Sequence, residues 1–442
     1  MKVMKFGGTS VGSALRMKNL SEMIAGQGKN LVVLSAMSGT TNSLVEIAGY
    51  LYRKNIEGAN ELINALENKY NGVVGELFAD DLKEGETYRA VAEAKVGEIF
   101  TFIRSLTKGL FTSIEEKSII AQGELLSTNL FCNYLNAKGV KAVLLPALDY
   151  MRTDKQGEPD LHYIAEHLKP LMQTEADLFL TQGFICRNAY GEIDNLTRGG
   201  SDYTASLVGA ALQADEIQIW TDIDGMHNND PRVVDNTRPV HFLNFDEAAE
   251  LAYFGAKILH PTCILPAKLA QIPVRLLNTL QPDAPGTLIS NRSEIGKIKA
   301  VAAKDNITAI KIKSGRMLLA YGFLRRVFEI FESYQTPIDM ICTSEVGISM
   351  TIDNNSHLNE ILDELRQVGT VTVDTDMVII CVVGDLRWDN IGFETRVMDA
   401  LKEIPVRMIS FGGSNFNISL LVKAEDKKRT LKALSKHLFD ED

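Results

Sequence analysis

The spacing of hydrophobic residues predicts two structurally different parts of the chain. Up to residue 290, short runs of apolar and β-branched residues lack strict polar alternation, which is typical of strands buried on both faces. The predicted strands are 3–6, 31–35, 142–145, 178–181, 217–221 and 274–278. Segments with a helical spacing of apolar residues separate them, as at 124–137 and 202–214. This alternation predicts an αβα sandwich around a mainly parallel central sheet, with binding groups at the carboxyl ends of its strands.

A long helical insertion interrupts this order at residues 53–117. It is rich in Glu and Lys, and we expect those charges to lie on the solvated surface. The sequence indicates no function for it.

An internal repeat follows residue 291. PIDMI at 337–341 recurs as PVRMI at 405–409, and ISM at 348–350 recurs as ISL at 418–420. Each copy has the predicted order strand, helix, strand, strand, helix, which is that of a ferredoxin-like βαββαβ fold without its last strand.

The two copies differ at that last strand. The first copy has one predicted at 370–373, whereas the second ends with its helix at 430–438. Because an open sheet edge beside apolar helices is a liability, we expect segment 297–303 to complete the second copy. The first copy would then be an insertion within the second. The predicted domains are 1–290, 305–374, and a discontinuous domain of 297–304 with 375–442.

Composition excludes several classes of function. The 442 residues include 46 basic and 57 acidic ones, and the net charge of -11 argues against a protein that binds nucleic acid. Without a leader-like segment or an apolar stretch of membrane-spanning length, we expect a cytoplasmic protein with no membrane partner. The five cysteines lie far apart and the seven histidines are scattered, so we expect neither a disulfide framework nor a metal held by protein ligands.

The first predicted strand ends in residues suited to an anion. Lys5 lies at the strand end, and Gly7 and Gly8 let backbone N–H groups approach a ligand closely. A Thr-Ser pair able to cap a helix follows, and a cation, free amides and a helix N-terminus together form an anion site. The segment is neither a GxxxxGK[ST] loop nor a GxGxxG motif. A simple turn is the alternative for two glycines after a strand.

Further charged groups lie beside predicted turns. Arg198, in TRGGSD at 197–202, offers a planar fork that suits a carboxylate, although a surface loop with a helix cap is an equal alternative. WTDIDG at 220–225 ends a strand with hydroxyl and carboxylate groups, and Lys257 follows the turn of FGAK at 254–257. Together these groups are typical of a phosphoryl-transfer site that lacks a covalent nucleophile.

These motifs, in this order, resemble those of the aspartate kinase family. The matching segments are KFGGTSVGS at 5–13, LSAMSGTTN at 34–42, GELLST at 123–128, TRGGSDYTA at 197–205, WTDIDGMHNNDPR at 220–232 and FGAKILHP at 254–261. The C-terminal repeat, with GFL at 322–324 and TSEV at 343–346, is similar to the family's tandem ACT domains. The resemblance covers essentially the whole chain. It implies the monofunctional form, because the sequence ends where bifunctional relatives would continue into a homoserine dehydrogenase.

The resemblance implies that ATP, carrying Mg²⁺, phosphorylates the side-chain carboxylate of L-aspartate, a step toward lysine, threonine and methionine. Catalysis would then consist of in-line positioning and charge neutralisation. The implied catalytic residues are Lys5, Gly8, Asp202 and Lys257. The implied aspartate-binding residues are Thr41, Glu124, Arg198 and Ser201. The implied ATP-binding residues are Lys5, Gly7, Gly8, Thr221, Asp222, His227, Arg232 and Lys257.

The sequence departs from the family beside the nucleotide. His227 stands where the family often has Tyr, and Asp224 stands where it often has Pro. The contacts on the adenine side of the site are therefore left open.

The repeat also predicts one regulatory amino-acid site per chain. In an ACT fold, backbone amides at a helix start meet the effector carboxylate, and the effector ammonium needs an acidic or carbonyl partner. The first copy has Asp339 on the facing strand, whereas the second has Arg407, which would repel an ammonium. Because Asp339 and Glu345 suit a basic effector, lysine is the expected ligand. The expected effector contacts are Met317, Gly322, Phe323, Leu324, Ile338, Asp339, Ser344 and Glu345.

Three alternatives stay open on the sequence alone. The first alternative is that both copies of the repeat serve only dimerisation, since ferredoxin-like sheets commonly pair at their edges. The family resemblance implies a homodimer through the ACT domains, or a tetramer. The kinase core also resembles glutamate 5-kinase, N-acetylglutamate kinase and uridylate kinase. The third alternative is a non-catalytic amino-acid sensor with the same fold. The presence of Lys5, Arg198, Asp222 and Lys257 argues against it.

Overall fold

The computed structural model describes residues 1–26, 28–80, 82–196, 199–255, 259–315 and 321–439. Within these residues the chain forms two compact units. The first contains Met1–Gly225 and Leu259–Asn291, and the second contains Met226–Ile258 and Arg292–Asp442.

Strands and helices are numbered along the chain. The strands are β1 Lys2–Phe6, β2 Asn30–Leu34, β3 Ala142–Leu145, β4 Leu178–Gln182, β5 Ile185–Arg187, β6 Ile193–Asn195, β7 Glu216–Thr221, β8 Phe242–Asn244, β9 Val274–Asn278, β10 Thr287–Ser290, β11 Ile298–Lys313, β12 Ile341–Ser344, β13 Gly347–Ile352, β14 Thr370–Gly384, β15 Met408–Ser410 and β16 Asn417–Lys423. The α-helices are α1 Ala14–Ile24, α2 Thr40–Tyr52, α3 Ile56–Leu77, α4 Gly85–Leu106, α5 Ser113–Ile120, α6 Gln122–Ala137, α7 Ala147–Tyr150, α8 Leu161–Leu171, α9 Gly200–Leu212, α10 Phe245–Tyr253, α11 Pro261–Leu269, α12 Phe323–Ser333, α13 Leu358–Val368, α14 Phe393–Ala400 and α15 Lys427–Phe439.

The first unit is the αβα sandwich that the hydrophobic pattern predicts. Its central sheet has the strand order β3-β4-β2-β1-β7-β9-β10, and only β10 runs antiparallel to its neighbour. Helices α1 to α4 and α6 share a hydrophobic core with one face of the sheet. On the other face α9 packs against β1 and β7, and α8 and α11 pack against α9. Because β1 lies inside the sheet, its carboxyl end is flanked by those of β2 and β7.

The helical insertion belongs to the core of this unit. Helix α3 buries Ala59, Ile63, Leu66 and Tyr70, which recur at the spacing of one helical face. These side chains join the same hydrophobic cluster as β1 and β2, together with residues of α4. The described charged side chains of the insertion are exposed or half-buried, which agrees with the predicted solvated surface.

The second unit contains a six-stranded antiparallel sheet in the order β12-β13-β11-β14-β16-β15. Strand β11 is continuous through both copies of the repeat, and so is β14. Residues 298–304 of β11 pair with 379–384 of β14, whereas residues 307–313 pair with 370–377. The register shifts between the two stretches, where Asn306 has a φ of 60°. The segment just upstream of the first copy therefore pairs with the second copy.

Each copy of the repeat has its own hydrophobic core. Helices α12 and α13 contribute to one cluster, and α14 and α15 contribute to the other. Residues 226–255 also belong to this unit. The Asn229 side chain donates to the Leu431 carbonyl over 3.0 Å, and the Val301 N–H donates to the Asn228 carbonyl over 2.9 Å. Within the described ranges, every helix falls short of the length or hydropathy that a membrane crossing requires.

Candidate active site

The candidate site begins at the carboxyl end of β1. Lys5 is the penultimate residue of this strand, and its neighbours across the sheet are Val33 and Ile219. The chain then turns through Gly7 and Gly8 beside the Lys5 ammonium, which would lie 3.5 Å from a Cβ at Gly7. This turn therefore places Gly7, a residue without a side chain, directly beside a cation, and Gly8 follows it.

The loop after β2 packs against the glycine turn. A Cβ at Gly8 would lie 2.6 Å from the Ala36 carbonyl oxygen, a distance that no side chain tolerates. The Ser38 N–H donates to the Gly8 carbonyl over 3.1 Å. Glycine is thus required at position 8 because the two loops approach each other so closely.

An ion pair joins β1 to the start of α9. The Lys5 ammonium lies 2.7 Å from Oδ1 of Asp202, and both side chains are largely buried. Asp202 belongs to the first turn of α9, where a carboxylate is favoured by the helix dipole. The preceding Ser201 packs on Gly183, where a Cβ would lie 2.3 Å from the serine hydroxyl. The Ser35 hydroxyl donates to that of Ser201 over 2.9 Å, which links the β2 loop to the same helix start.

Glu124 is the buried acid of the site. It lies in the first turn of α6, and only 3% of the residue is exposed. The Ala36 N–H donates to Oε1 over 3.2 Å, while Oε2 receives no hydrogen bond from the described residues. Burial raises the pKa of Glu124 to about 7, against the opposing effect of the Ala36 hydrogen bond. A buried carboxylate with one free oxygen is suited to accept a ligand ammonium.

Ala36 connects these groups, because its carbonyl touches the Gly8 turn and its amide binds Glu124. Thr41 is close by in the first turn of α2, which begins at Thr40. The structure thus places Lys5, Gly7, Gly8, Thr41, Glu124, Ser201 and Asp202 around one edge of the sheet. The contacts of Ser35, Ala36 and Gly183 were not foreseen, since main-chain contacts between loops leave no signal in residue type.

Two of the expected nucleotide contacts, Thr221 and Asp222, lie at the end of β7. The Ile223 N–H donates to the Thr221 hydroxyl over 2.9 Å. Asp222 lines a cavity of 260 Å³ together with Thr9, Ser10 and Arg16. The sequence alone did not single out Arg16, which lies in the first turn of α1.

The other expected site residues belong to the second unit or fall outside the described residues. His227 belongs to the second unit, where its Nδ1 is 2.9 Å from the Thr237 hydroxyl. Arg232 is also in that unit and forms a two-pronged ion pair with Asp230, over 2.9 and 2.8 Å, although its side chain is 83% exposed. This pairing lowers the pKa of Asp230. Arg198 and Lys257 lie outside the described residues.

The expected effector residues lie in the first copy of the repeat. Gly322 has a φ of 82° and precedes α12, whose first residues are Phe323 and Leu324. Asp339, the expected partner of the effector ammonium, already has partners within the second unit. Its carboxylate lies 2.6 Å from the Lys304 ammonium and accepts a hydrogen bond from the Tyr253 hydroxyl over 2.8 Å, both at Oδ1.

Oδ2 of Asp339 is buried and receives no hydrogen bond from the described residues. Ile338 is half-buried beside it, Ser344 ends β12, and Glu345 is exposed in the following turn. Met317 lies outside the described residues.

Comparisons with known proteins identify the families to which the two parts of the chain are similar. Residues 1–278 match the amino acid kinase family, and residues 380–438 match an ACT domain. The chain is 34% identical to aspartokinase 1, chloroplastic, of Arabidopsis thaliana, over 99% of this chain and 80% of that protein. It is 33% identical to lysine-sensitive aspartokinase 3 of Escherichia coli (strain K12), over 99% of both chains.

A solved structure gives the same result for the fold. The crystal structure of E. coli aspartokinase III in complex with aspartate and ADP superimposes with a TM-score of 0.82, at 32% identity, over 99% of this chain and 100% of that one. A second structure of that enzyme, in complex with lysine and aspartate, gives a TM-score of 0.79 at 33% identity over 99% of both chains. The chain therefore belongs to the aspartokinases of the amino acid kinase family.

Proposed function

We propose that this protein transfers the γ-phosphoryl group of ATP to the side-chain carboxylate of L-aspartate. A carboxylate oxygen attacks the γ-phosphorus, the bond from that phosphorus to the β,γ-bridging oxygen breaks, and 4-phospho-L-aspartate and ADP are formed. The attacking carboxylate is already ionised at neutral pH, so the reaction needs no strong base. The site must therefore position the reactants in line and neutralise charge.

The observation that carries this proposal is the buried Glu124 carboxyl beside the Lys5 turn. Through Ala36, an acid with one free oxygen is held next to a cation and a glycine turn. The acid suits the ammonium of an amino acid, and the cation suits a transferring phosphoryl group. A loop that binds only phosphate does not require a buried acid. The combination fits an amino-acid substrate that is phosphorylated.

The remaining roles follow from the family and the geometry. Lys5, Gly7 and Gly8 hold the transferring phosphoryl group, and Asp202 orients Lys5. Thr41, Ser201 and Arg198 bind the substrate α-carboxylate. Thr221, Asp222, His227, Arg232 and Lys257 hold the nucleotide. Mg²⁺ bound with ATP would supply neutralisation of the phosphate charge, since phosphate oxygens are ligands that it prefers.

Lysine is the proposed regulator, bound in the first copy of the repeat. Gly322 offers backbone amides at the start of α12, and the free Oδ2 of Asp339 suits an effector ammonium. Residues 305–374 are the proposed inserted regulatory domain, and 297–304 with 375–442 are the second one, after a catalytic domain of 1–290. The proposal also includes a homodimer formed through these domains. It places the protein in the cytoplasm, where ATP and aspartate are both available.

The test is a hydroxylamine trap for the acyl phosphate. With aspartate and MgATP the protein should form aspartyl hydroxamate and release ADP. Glutamate, N-acetylglutamate and uridine monophosphate should give no ADP release above background. Lys5→Met should abolish hydroxamate formation while leaving the fold intact by circular dichroism. Absence of hydroxamate with the unaltered protein would instead support an amino-acid sensor.

A further inference from the structure

Helix α3 of the insertion reaches the loop that joins β2 to α2, residues 35–39. The Lys69 ammonium donates to the Ser38 carbonyl over 3.0 Å. At the next position, the Tyr70 hydroxyl shares a hydrogen bond of 2.9 Å with that of Thr40. Two adjacent residues of the insertion therefore hold the end of this loop and the first residue of α2.

The two contacts differ in burial. Tyr70 is fully buried in the hydrophobic core, and burial raises the pKa of its hydroxyl far above its ordinary range, with the nearby Glu124 carboxylate acting in the same direction. Lys69 is exposed, so neither folding nor packing requires a lysine there. The contact between the Lys69 ammonium and a main-chain carbonyl therefore needs an explanation other than folding or packing.

The loop held by these residues touches two parts of the candidate site. The Ser38 N–H donates to the Gly8 carbonyl, while the Ala36 N–H donates to Glu124 over 3.2 Å. Gly39, with a φ of 82°, then turns the chain into α2, so that Thr41 lies in the first helical turn. A shift of Ser38 would therefore displace the proposed ligands of aspartate together.

We propose that Lys69 and Tyr70 are positioning residues for aspartate binding, which makes the helical insertion a functional part of the substrate site. Lys69 fixes the Ser38 carbonyl, and its positive charge stands beside the N-terminus of α2, where an anionic substrate is favoured. Tyr70 fixes Thr40 from the core side. This inference rests on the proposed roles of Thr41 and Glu124.

The test compares Lys69→Met, Lys69→Arg and Tyr70→Phe with the matched control Lys95→Met. Lys95 is a lysine of the same insertion whose ammonium contacts Glu98 on its own helix. Steady-state assays measure kcat and the KM values for aspartate and ATP, and thermal unfolding is followed in parallel. Lys69→Met should raise the KM for aspartate about tenfold, the effect of losing one hydrogen bond from a charged donor. The KM for ATP and kcat should change less than about twofold.

Lys69→Arg should keep the KM for aspartate close to that of the unaltered protein, because a guanidinium can also donate to the Ser38 carbonyl. Tyr70→Phe keeps the ring in the core and should raise the same KM. If Lys69→Met behaves like Lys95→Met, or if both KM values rise together with an earlier unfolding transition, the inference is wrong. Failure of the unaltered protein to form aspartyl hydroxamate would be a separate result, against the proposed function.

Discussion

At the scale of single residues, the burial of Glu124 controls how the site responds to pH. The free protein holds this carboxyl with a pKa of about 7, and only the ionised form attracts a substrate ammonium. We expect kcat/KM for aspartate to fall about tenfold per pH unit below pH 7 and to level off above it. The measurement is ADP release at saturating MgATP between pH 6 and pH 8.5.

The control for this profile is Glu124→Gln, which removes the ionisation but keeps an acceptor for the Ala36 N–H. Its kcat/KM for aspartate should be lower throughout, and the decrease below pH 7 should disappear. A variant that retains the full pH dependence would assign the titration to another group, such as the γ-phosphate of ATP.

The same burial makes Glu124 costly for folding. Since its pKa is raised from 4.5 in the folded state, the folded protein binds this proton more tightly than the unfolded chain does. Stability is therefore lost as the pH rises from 4.5 through 7, by about 3 kcal/mol for this group. Glu124→Gln should raise the unfolding temperature at pH 8 and leave it nearly unchanged at pH 5. Equal stability of the two proteins at pH 8 would contradict this account.

At the scale of elements, the glycine turn after β1 works because the β2 loop lies against it. A Cβ at Gly8 would meet the Ala36 carbonyl oxygen at 2.6 Å, so Gly8→Ala must push the two loops apart. A displacement of this kind should reduce kcat/KM by about a hundredfold while the protein remains folded. The control is Gly72→Ala in α3, where no heavy atom lies within 4 Å of the added Cβ. Wild-type kinetics for Gly8→Ala would show that the contact is not needed.

Sequence reasoning was most accurate for elements whose pattern is local. The predicted strands at 142–145 and 274–278 have the same bounds in the structure, and a proline adjoins each run, Pro146 after the first and Pro273 before the second. The candidate site residues Lys5 and Asp202 lie in local glycine motifs that could be recognised, whereas Glu124 came from the family resemblance alone. The contacts of these residues could not be recognised, since they depend on residues more than 80 positions apart.

Two features of the elements could not be read from the pattern. Strands β11 and β14 are continuous across the boundary between the copies, because a shift of register at Asn306 replaces the expected break. The pairing of Asp339 with Lys304, 35 positions away, was also not foreseen. An ion pair between distant residues leaves no periodic signal.

At the scale of the whole molecule, the two copies of the repeat are structurally alike but chemically different. Arg407 of the second copy forms an ion pair with Asp374 over 2.9 Å. In the first copy, Asp339 is buried and paired with Lys304 and Tyr253, and one of its oxygens has no partner among the described residues. At these corresponding positions, the described residues therefore offer a buried acceptor in the first copy and an arginine in the second.

This asymmetry predicts that Asp339→Asn removes lysine regulation. Lys304 also pairs with Asp353 over 2.9 Å, so the variant leaves its ammonium with a partner and should still fold. Loss of the charged acceptor should weaken lysine binding by about 2 kcal/mol in isothermal titration. Inhibition of ADP release by lysine should shift in parallel. Arg407→Gln in the second copy is the matched control and should bind one lysine per chain with unchanged affinity. If Asp339→Asn binds lysine as the unaltered protein does, or if only the Arg407 variant loses binding, the effector site lies elsewhere.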